Sequence, residues 1–153
     1  MSYDHRRILV VDDDPASCEL VAFYLKSLGY DVAIAPDGTR ALSMNLNDEI
    51  ELVILDVHMP GCDGTEVLHR LRMRNLVRVL KVLALTADES PGVREEMDRA
   101  GVDGFLTKPV DLKELKREVE RLMPGSAQNE GALHRRARER RVGLWGAPAS
   151  DLT

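Results

Sequence analysis

The stretch ILVVDDDP, residues 8–15, places three acids and a proline directly after four apolar residues. An unbroken apolar run is typical of a parallel strand that is buried on both faces. The acids stand where such a strand ends. The proline suits the first turn of a helix, where no backbone N–H is needed for hydrogen bonding. This stretch therefore predicts a strand, a polar loop and a helix in succession.

The same alternation continues through most of the chain. Residues 52–55 and 82–85 are apolar runs like the one at 8–11, and residues 32–34 and 104–106 are weaker examples. Because parallel neighbours need crossover connections, five strands alternating with five helices indicate an α/β fold with a doubly wound, five-stranded parallel sheet. Proline, serine and glycine mark several of the helix ends. The predicted helices are 15–28, 37–47, 64–73, 90–100 and 111–122.

Composition and length indicate one soluble domain. A chain of 153 residues suits a single domain of ordinary size. With 44% hydrophobic and 31% charged residues, it has the composition of a globular protein, and Cys18 and Cys62 are expected to be free thiols. No apolar run approaches the roughly 20 residues of a membrane helix, and no signal peptide precedes Ile8. We expect a cytoplasmic protein with no membrane partner.

The periodic pattern stops at residues 124–126, Pro-Gly-Ser. This predicts a folded domain at 1–123 and a basic, disordered tail at 124–153. The tail has five arginines and three acids, a net charge of +2, so the whole-chain charge of −5 leaves −7 on the domain. An acidic domain is a poor nucleic acid binder, because phosphate contacts need a basic face. The arginine run at 134–141 is the basic stretch that could bind nucleic acid, a membrane or a protein partner. A disordered, solvated tail is the simpler interpretation of this run.

Side chains capable of chemistry follow four of the predicted strands. The first strand ends in the acids at 12–14, the third in Asp56 and the fourth in Thr86, and the fifth leads into Lys108. Ligands of open parallel sheets bind beyond this edge, where the strand order reverses. Each residue alone has a plainer interpretation, such as helix capping for Asp14 or a turn for Asp56. Their common position at one edge indicates a shared site.

Carboxylates gathered at one edge need cations. Two unit charges about 4 Å apart repel by roughly 4 kcal/mol at an effective dielectric near 20, so Asp12, Asp13 and Asp56 must bind protons or cations. Lys108 can neutralise only part of this charge. Oxygen ligands without histidine or cysteine favour Mg²⁺ or Ca²⁺ over zinc. A carboxylate beside such an ion can accept a phosphoryl group, with an ammonium and the Thr86 hydroxyl to stabilise the transferred charge.

Four motifs together resemble those of response-regulator receiver domains. The resemblance covers about residues 7–122, with the motifs in order and at normal spacing. It implies a flavodoxin-like sheet of strand order 2-1-3-4-5, in which the first and third strands are neighbours. The motifs are ILVVDDDP at 8–15, ILDVHMPG at 54–61 followed by Asp63-Gly64, LTA at 85–87 and FLTKP at 105–109.

The resemblance also implies an acceptor and a metal site. Asp56 would be the phosphoacceptor, supplied by a sensor histidine kinase or a histidine phosphotransfer protein. Asp13, Asp56 and the backbone carbonyl of His58 would bind Mg²⁺, with Asp12 assisting through water. The site would catalyse only its own phosphorylation and dephosphorylation. The chain would then be a signalling switch rather than an enzyme acting on other substrates. The His58 side chain itself is expected to be exposed and uninvolved.

The switch implied by the resemblance runs from Thr86 to Phe105. Thr86 and Lys108 would contact the phosphoryl oxygens, and Phe105 would turn inward as Thr86 moves. This would remodel the face of the fourth helix, fifth strand and fifth helix for a downstream protein whose identity is unknown. Many receivers have tyrosine at the position of Phe105. A phenylalanine has no hydroxyl to satisfy, which favours its inward position even before phosphorylation.

Two other protein classes fit the sequence less well. Haloacid-dehalogenase-type phosphatases have two acids spaced like Asp12 and Asp14, but here Ala16 stands where threonine or valine is expected. That interpretation also leaves Asp56 and Lys108 without a role. A flavodoxin is excluded because acids replace the hydroxyl-rich loop that would bind the phosphate of its flavin.

Overall fold

The structure is a computed structural model that describes residues 7–44, 50–59, 62–74 and 80–124. Nearly all of the predicted tail at 124–153 lies outside these residues, so its disorder stays a prediction. Within them, parallel strands and helices alternate as expected. The elements are β1 (Arg7–Val11), α1 (Pro15–Ser27), β2 (Asp31–Ala35), α2 (Gly38–Ser43), β3 (Ile50–Asp56), α3 (Gly64–Arg74), β4 (Lys81–Thr86), α4 (Pro91–Ala100), β5 (Gly104–Thr107) and α5 (Leu112–Leu122).

The five strands form one parallel sheet in the order β2-β1-β3-β4-β5. This confirms the predicted doubly wound architecture and its strand order. A short antiparallel pair, His58–Met59 with Cys62–Asp63, lies between β3 and α3. In the part of the chain that the structure describes, we find no helix that is both long and apolar enough to cross a membrane.

Both faces of the sheet are covered by helices, which explains the uninterrupted apolar runs. Ile8 and Val10 of β1 pack in one buried cluster with residues of α1 and α5. Leu9 and Val11, which alternate with them, pack in a second cluster with residues of α2 and α3. Burial of each large aliphatic side chain contributes about 1.5–3 kcal/mol to folding. Side chains on both faces of the sheet therefore contribute to the hydrophobic core.

Helix ends follow the sequence signals with two exceptions. Asp14 caps α1 by accepting a hydrogen bond from the Ala16 N–H at 3.2 Å. Ser90 stands at the N-cap of α4, but its side chain makes no capping hydrogen bond. The second helix was predicted to reach residue 47 and instead ends at Ser43. Met44 adopts an extended backbone, with φ −66° and ψ 140°. No glycine or proline signals this stop, and the rest of the predicted segment lies outside the described residues.

Asp103 joins several elements at the end of the sheet opposite the acids. Its carboxylate accepts hydrogen bonds from the Val82 N–H at 2.8 Å and from Arg72 Nη2 of α3 at 3.2 Å. Its backbone N–H donates to the Val82 carbonyl at 2.8 Å. Its carbonyl accepts from Arg121 Nη2 of α5 at 2.7 Å. Asp103 therefore links α3, β4 and α5, a role that the sequence does not indicate.

Replacing Asp103 with alanine should destabilise the fold, because the buried Val82 N–H would lose its partner. We expect Asp103→Ala to lower the free energy of unfolding by about 1–3 kcal/mol, measured by denaturant titration. Asp98→Ala is the matched control, since Asp98 is exposed on α4 and should change stability by less than about 0.5 kcal/mol. Equal effects of the two substitutions would contradict the proposed role of Asp103.

Candidate functional site

Three acids converge where β1 and β3 end. Val11 of β1 pairs with Leu55 of β3, so the residues that follow these two emerge side by side. Carboxylate oxygens of Asp12, Asp13 and Asp56 all lie within 4.8 Å of one another. Asp12 and Asp56 are buried, whereas Asp13 is exposed. The structure thus brings together the acids that the sequence predicted to share a site.

Lys108, which follows the edge strand β5, completes this cluster. Its Nζ lies 2.9 Å from Asp12 Oδ2 and 3.2 Å from Asp56 Oδ2. Lys108 directly follows β5, and its backbone N–H donates to the Thr86 carbonyl at 2.7 Å, which joins it to the end of β4. One ammonium therefore bridges two buried carboxylates that belong to neighbouring strands.

The two buried carboxylates respond differently to this environment. For Asp12, burial acts to raise the pKa, but hydrogen bonds from Lys108 and the Asp14 N–H outweigh it and hold the pKa below its ordinary value. For Asp56, burial dominates and raises the pKa to about 6, against the attraction of Lys108. The negative charge of Asp12 adds to this rise. Asp12 is therefore the better stabilised anion, and Asp56 carries the unfavourable charge.

The pKa of Lys108 is raised above its ordinary value. Burial alone would lower it, but hydrogen bonds and attraction from Asp12 and Asp56 more than compensate. Lys108 is therefore fully charged at neutral pH. One ammonium is close to three carboxylates, so the cluster keeps negative charge that a further cation would neutralise. A set of carboxylate oxygens is the donor chemistry that Mg²⁺ and Ca²⁺ prefer.

Thr86 is fully buried at the end of β4. Its hydroxyl oxygen accepts a hydrogen bond from the Asp88 N–H at 3.0 Å and donates to the Asp88 carbonyl at 3.3 Å. The Asp88 carboxylate in turn accepts from the Ser90 N–H at 2.9 Å, at the start of α4. In this structure the Thr86 hydroxyl is thus bonded to the loop leading to α4. Sequence reasoning selected Thr86 but missed Asp88, whose role depends on loop geometry.

The loop after Asp56 is held close to the Asp56 carboxylate. The His58 N–H donates to Asp56 Oδ1 at 3.2 Å, while the His58 side chain points to solvent. Gly64 begins α3 against this loop, and a Cβ there would lie 2.9 Å from the Val57 carbonyl oxygen. Because backbone atoms cannot easily yield, only glycine fits at this position. The imidazole is exposed as expected, and its lack of a role stays a prediction.

Phe105 is half-buried on β5, beside Arg94 of α4. One side of its ring packs against a buried cluster of Val57, Ala84 and Met97. The guanidinium carbon of Arg94 lies 5.6 Å from the ring centroid, within the range of a cation–π interaction. In this structure the ring is half-buried rather than buried, so its expected preference for the inward position stays a prediction. Arg94 was not singled out from the sequence, because no spacing rule connects it to Phe105.

The remaining sequence candidates lie apart from this chemistry. Cys18 is a free, buried thiol of α1. Burial raises the pKa of this thiol to about 11, with the negative charges of Asp12 and Glu19 adding to the shift. A thiol held in this way is unreactive, which agrees with a packing role. The side chain of Cys62 lies outside the described ones. Ser17, which the sequence analysis did not consider, hydrogen-bonds Asp12 through its side chain.

The fold and site together define a doubly wound α/β domain with an acidic, lysine-bridged pocket at the point where the strand order reverses. The family described as response regulator receiver domain matches residues 8–120. The chain therefore belongs to this family and is a receiver domain of two-component signalling.

Relatives and solved structures agree with this assignment. The response regulator MprA of Mycobacterium sp. (strain KMS) is 41% identical over 125 residues, which cover 82% of this chain and 54% of MprA. The chain thus spans about half the length of this curated relative. The chemotaxis protein CheY4 of Vibrio cholerae, solved at low pH, superimposes with a TM-score of 0.71 at 31% identity, covering 76% of this chain and 98% of CheY4. TrrA of Thermotoga maritima, solved in complex with Mg²⁺-BeF, gives a TM-score of 0.66 at 35% identity, covering 76% of this chain and 98% of TrrA.

Removing the charge of Asp56 should stabilise the metal-free protein. Its pKa rises from 3.8 to about 6 on folding, so the native state binds more protons than the unfolded state between these values. Stability must then fall as the pH rises through this window. One pKa unit corresponds to about 1.4 kcal/mol, and the pKa of about 6 already includes the attraction to Lys108. We expect Asp56→Asn to raise the free energy of unfolding by on the order of 1 kcal/mol at pH 7.5 in chelator.

Denaturant titrations at pH 7.5 and pH 4.5 test this expectation. The gain should shrink at the lower pH, where Asp56 of the native protein already carries a proton. Asp98→Asn removes an exposed charge and serves as the control. A variant that is less stable at pH 7.5, or a gain that does not depend on pH, would refute the electrostatic explanation.

Proposed function

We propose that Asp56 accepts a phosphoryl group from a phosphohistidine and that this modification switches the surface of α4, β5 and α5. The observation that supports this proposal is the position of Asp56. It is a buried carboxylate at the end of β3, clustered with Asp12 and Asp13 and bridged to Lys108 at 3.2 Å. The donor would be a sensor histidine kinase or a histidine phosphotransfer protein, and the domain would work in the cytoplasm, where kinases meet ATP.

The transfer uses Asp56 as a nucleophile. A carboxylate oxygen of Asp56 attacks phosphorus, the bond between phosphorus and the imidazole nitrogen of the donor breaks, and that nitrogen takes up a proton. With its pKa at about 6, Asp56 is mostly ionised at neutral pH and able to attack. Hydrolysis by water later returns the carboxylate and releases phosphate. The domain thus catalyses only its own phosphorylation and dephosphorylation.

Mg²⁺ is the cofactor that this donor set suits. Asp13, Asp56 and the backbone carbonyl of His58 would hold the ion, with Asp12 assisting through water. When bound, Mg²⁺ neutralises charge on the phosphoryl oxygens and on the carboxylates that would otherwise repel them. The exposed position of Asp13 leaves this side of the cluster open to solvent and to an incoming group.

Lys108 and Thr86 stabilise the transferred group and report its presence. The Lys108 ammonium, which bridges Asp12 and Asp56, exchanges its contact with Asp56 for a phosphoryl oxygen. The Thr86 hydroxyl exchanges its hydrogen bonds to Asp88 for another. Because the Asp88 carboxylate holds the Ser90 N–H, this exchange frees the loop at the start of α4. A local change of charge is thereby passed to the surface that a downstream protein would bind.

Labelling with a small donor tests the acceptor and the metal. Incubated with acetyl phosphate or phosphoramidate and Mg²⁺, the wild type should gain the mass of one phosphoryl group on Asp56, mapped by mass spectrometry. Asp56→Asn should gain none, and Asp13→Ala should lose most of the labelling because the ion loses a ligand. Asp98→Ala, an exposed acid away from the site, should label normally. Efficient labelling of Asp56→Asn at another residue would refute the acceptor, and full transfer in excess chelator would refute the metal role.

The receiver domain proposed at 1–123 should not need the tail at 124–153. Helix α5 ends at Leu122, and Met123 is buried with its N–H donating to the Val119 carbonyl at 2.9 Å. Within the described residues, these contacts make Leu122 and Met123 part of the buried cluster that includes residues of α1 and α5. The acidic domain offers nucleic acid no attractive surface, so such a partner would have to bind the arginine run of the tail.

Deleting residues 126–153 should leave melting temperature and labelling of Asp56 nearly unchanged, measured by calorimetry and mass spectrometry. The removed segment lacks the apolar periodicity that would bury much surface. If the tail instead docks on the acidic domain, the intact protein should show protected tail amides in hydrogen exchange, and this protection should weaken with salt. A fall of many degrees on truncation would refute the domain boundary.

A further inference from the structure

The ring of Phe105 lies between a buried cluster and a charged side chain. Its inner side packs against the buried cluster of Val57, Ala84 and Met97. The guanidinium of Arg94, which belongs to the first part of α4, lies over the ring with its Cζ 5.6 Å from the centroid. Ala84 of β4 is the strand partner of Phe105, so the sheet lies along the inner side of the ring. The outer side of the ring is covered by Arg94 of α4.

A half-exposed phenylalanine ring needs such a cover more than a tyrosine would. A tyrosine can hold its ring at the surface through a hydrogen bond from its hydroxyl, and phenylalanine has no polar atom to do so. A guanidinium over the ring face compensates in part, because it is attracted to the ring quadrupole and shields the ring from water. In this chain the contact with Arg94 therefore favours a half-exposed ring, as a hydrogen-bonded hydroxyl would in a tyrosine.

We propose that Arg94 is a positioning residue that holds Phe105 in its half-buried position and so opposes the inward turn that phosphorylation drives. This inference rests on the proposed role of Asp56 as phosphoacceptor. Arg94 is one turn beyond Ser90, whose N–H is bonded to the Asp88 carboxylate in the Thr86 loop. When Thr86 leaves Asp88, the start of α4 is released, and the guanidinium can leave the ring. The two events of the switch are thereby linked through α4.

The effect should be small but measurable. An exposed cation–π contact changes an equilibrium constant by about two- to five-fold. Arg94→Ala should shift the balance between the two ring positions by this factor, and alanine preserves the helix because it is the best helix former. Since the inward position is coupled to occupation of the phosphoryl site, apparent affinity for a phosphoryl analogue should rise by the same factor.

Methyl groups of Ala84 and Met97 provide a readout of the ring, because both residues belong to the buried cluster against which Phe105 packs, and Ala84 is also its strand partner. Their NMR shifts respond to the ring current of Phe105 and should be recorded for the full-length chain, free and during titration with beryllofluoride and Mg²⁺, a non-reactive phosphoryl analogue. The variants are Arg94→Ala and Arg94→Lys. The matched control is Arg99→Ala, because Arg99 is an exposed arginine of the same helix that pairs with Glu95 at 3.8 Å.

Arg94→Ala should move the methyl shifts of the free protein toward those of the analogue-bound wild type, and should lower the titration midpoint about two- to five-fold. Arg94→Lys, which keeps the charge but not the planar group, should fall between the two. Unchanged shifts in Arg94→Ala, or equal changes in Arg99→Ala, would overturn the inference. A wild type that does not respond to beryllofluoride would instead refute the proposed function. The free proteins would then still test Arg94, because methyl shifts that change in Arg94→Ala but not in Arg99→Ala would show that Arg94 positions the ring.

Discussion

The rest of the site depends on one ammonium shared between two buried carboxylates. Parallel strands must all end at the same edge, so the sheet that buries the core also forces Asp12 and Asp56 together. Lys108 reaches both from beyond β5, at 2.9 and 3.2 Å. It satisfies Asp12 but leaves the pKa of Asp56 raised to about 6. The free energy gained by burying the hydrophobic core thus holds together a cluster that has more negative than positive charge. On the proposed function, a bound cation supplies the missing positive charge and so allows the anionic phosphoryl group to be accepted.

Much of the fold and the set of clustered residues could be predicted from the sequence, and the reason is topological. Apolar runs such as 52–55 are typical of strands buried on both faces, and alternation with helices then indicates parallel neighbours. Once the strands are parallel, Asp12, Asp56 and Lys108 must share an edge whatever their side-chain conformations. The strand order itself came from a resemblance, because periodicity does not distinguish the possible orders of five strands. The structure confirms that order.

Features that depend on conformation rather than on topology could not be predicted. The early end of α2 depends on the backbone of Met44, which no turn residue marks. The Asp88 partner of Thr86 depends on how the loop bends. The links made by Asp103 and the contact of Arg94 join side chains of different elements, and no helical or strand period connects them. These contacts are worth about 1 kcal/mol each, so composition and pattern carry little trace of them.

Small contacts of this kind are nevertheless what a switch requires. A ligand moves an equilibrium only by its differential interaction with the two states, and a state that is too stable cannot be displaced. The cluster that contains Met97 lies against the Phe105 ring, and on the proposed role of Arg94 its guanidinium holds the ring in the half-buried position. The inward preference expected of a ring without a hydroxyl stays a prediction, and the contact with Arg94 would oppose it. On the proposed function and the proposed role of Arg94, the response of this domain to phosphorylation would depend on the balance between positions 94 and 105, and replacement of either residue alone would change the resting state.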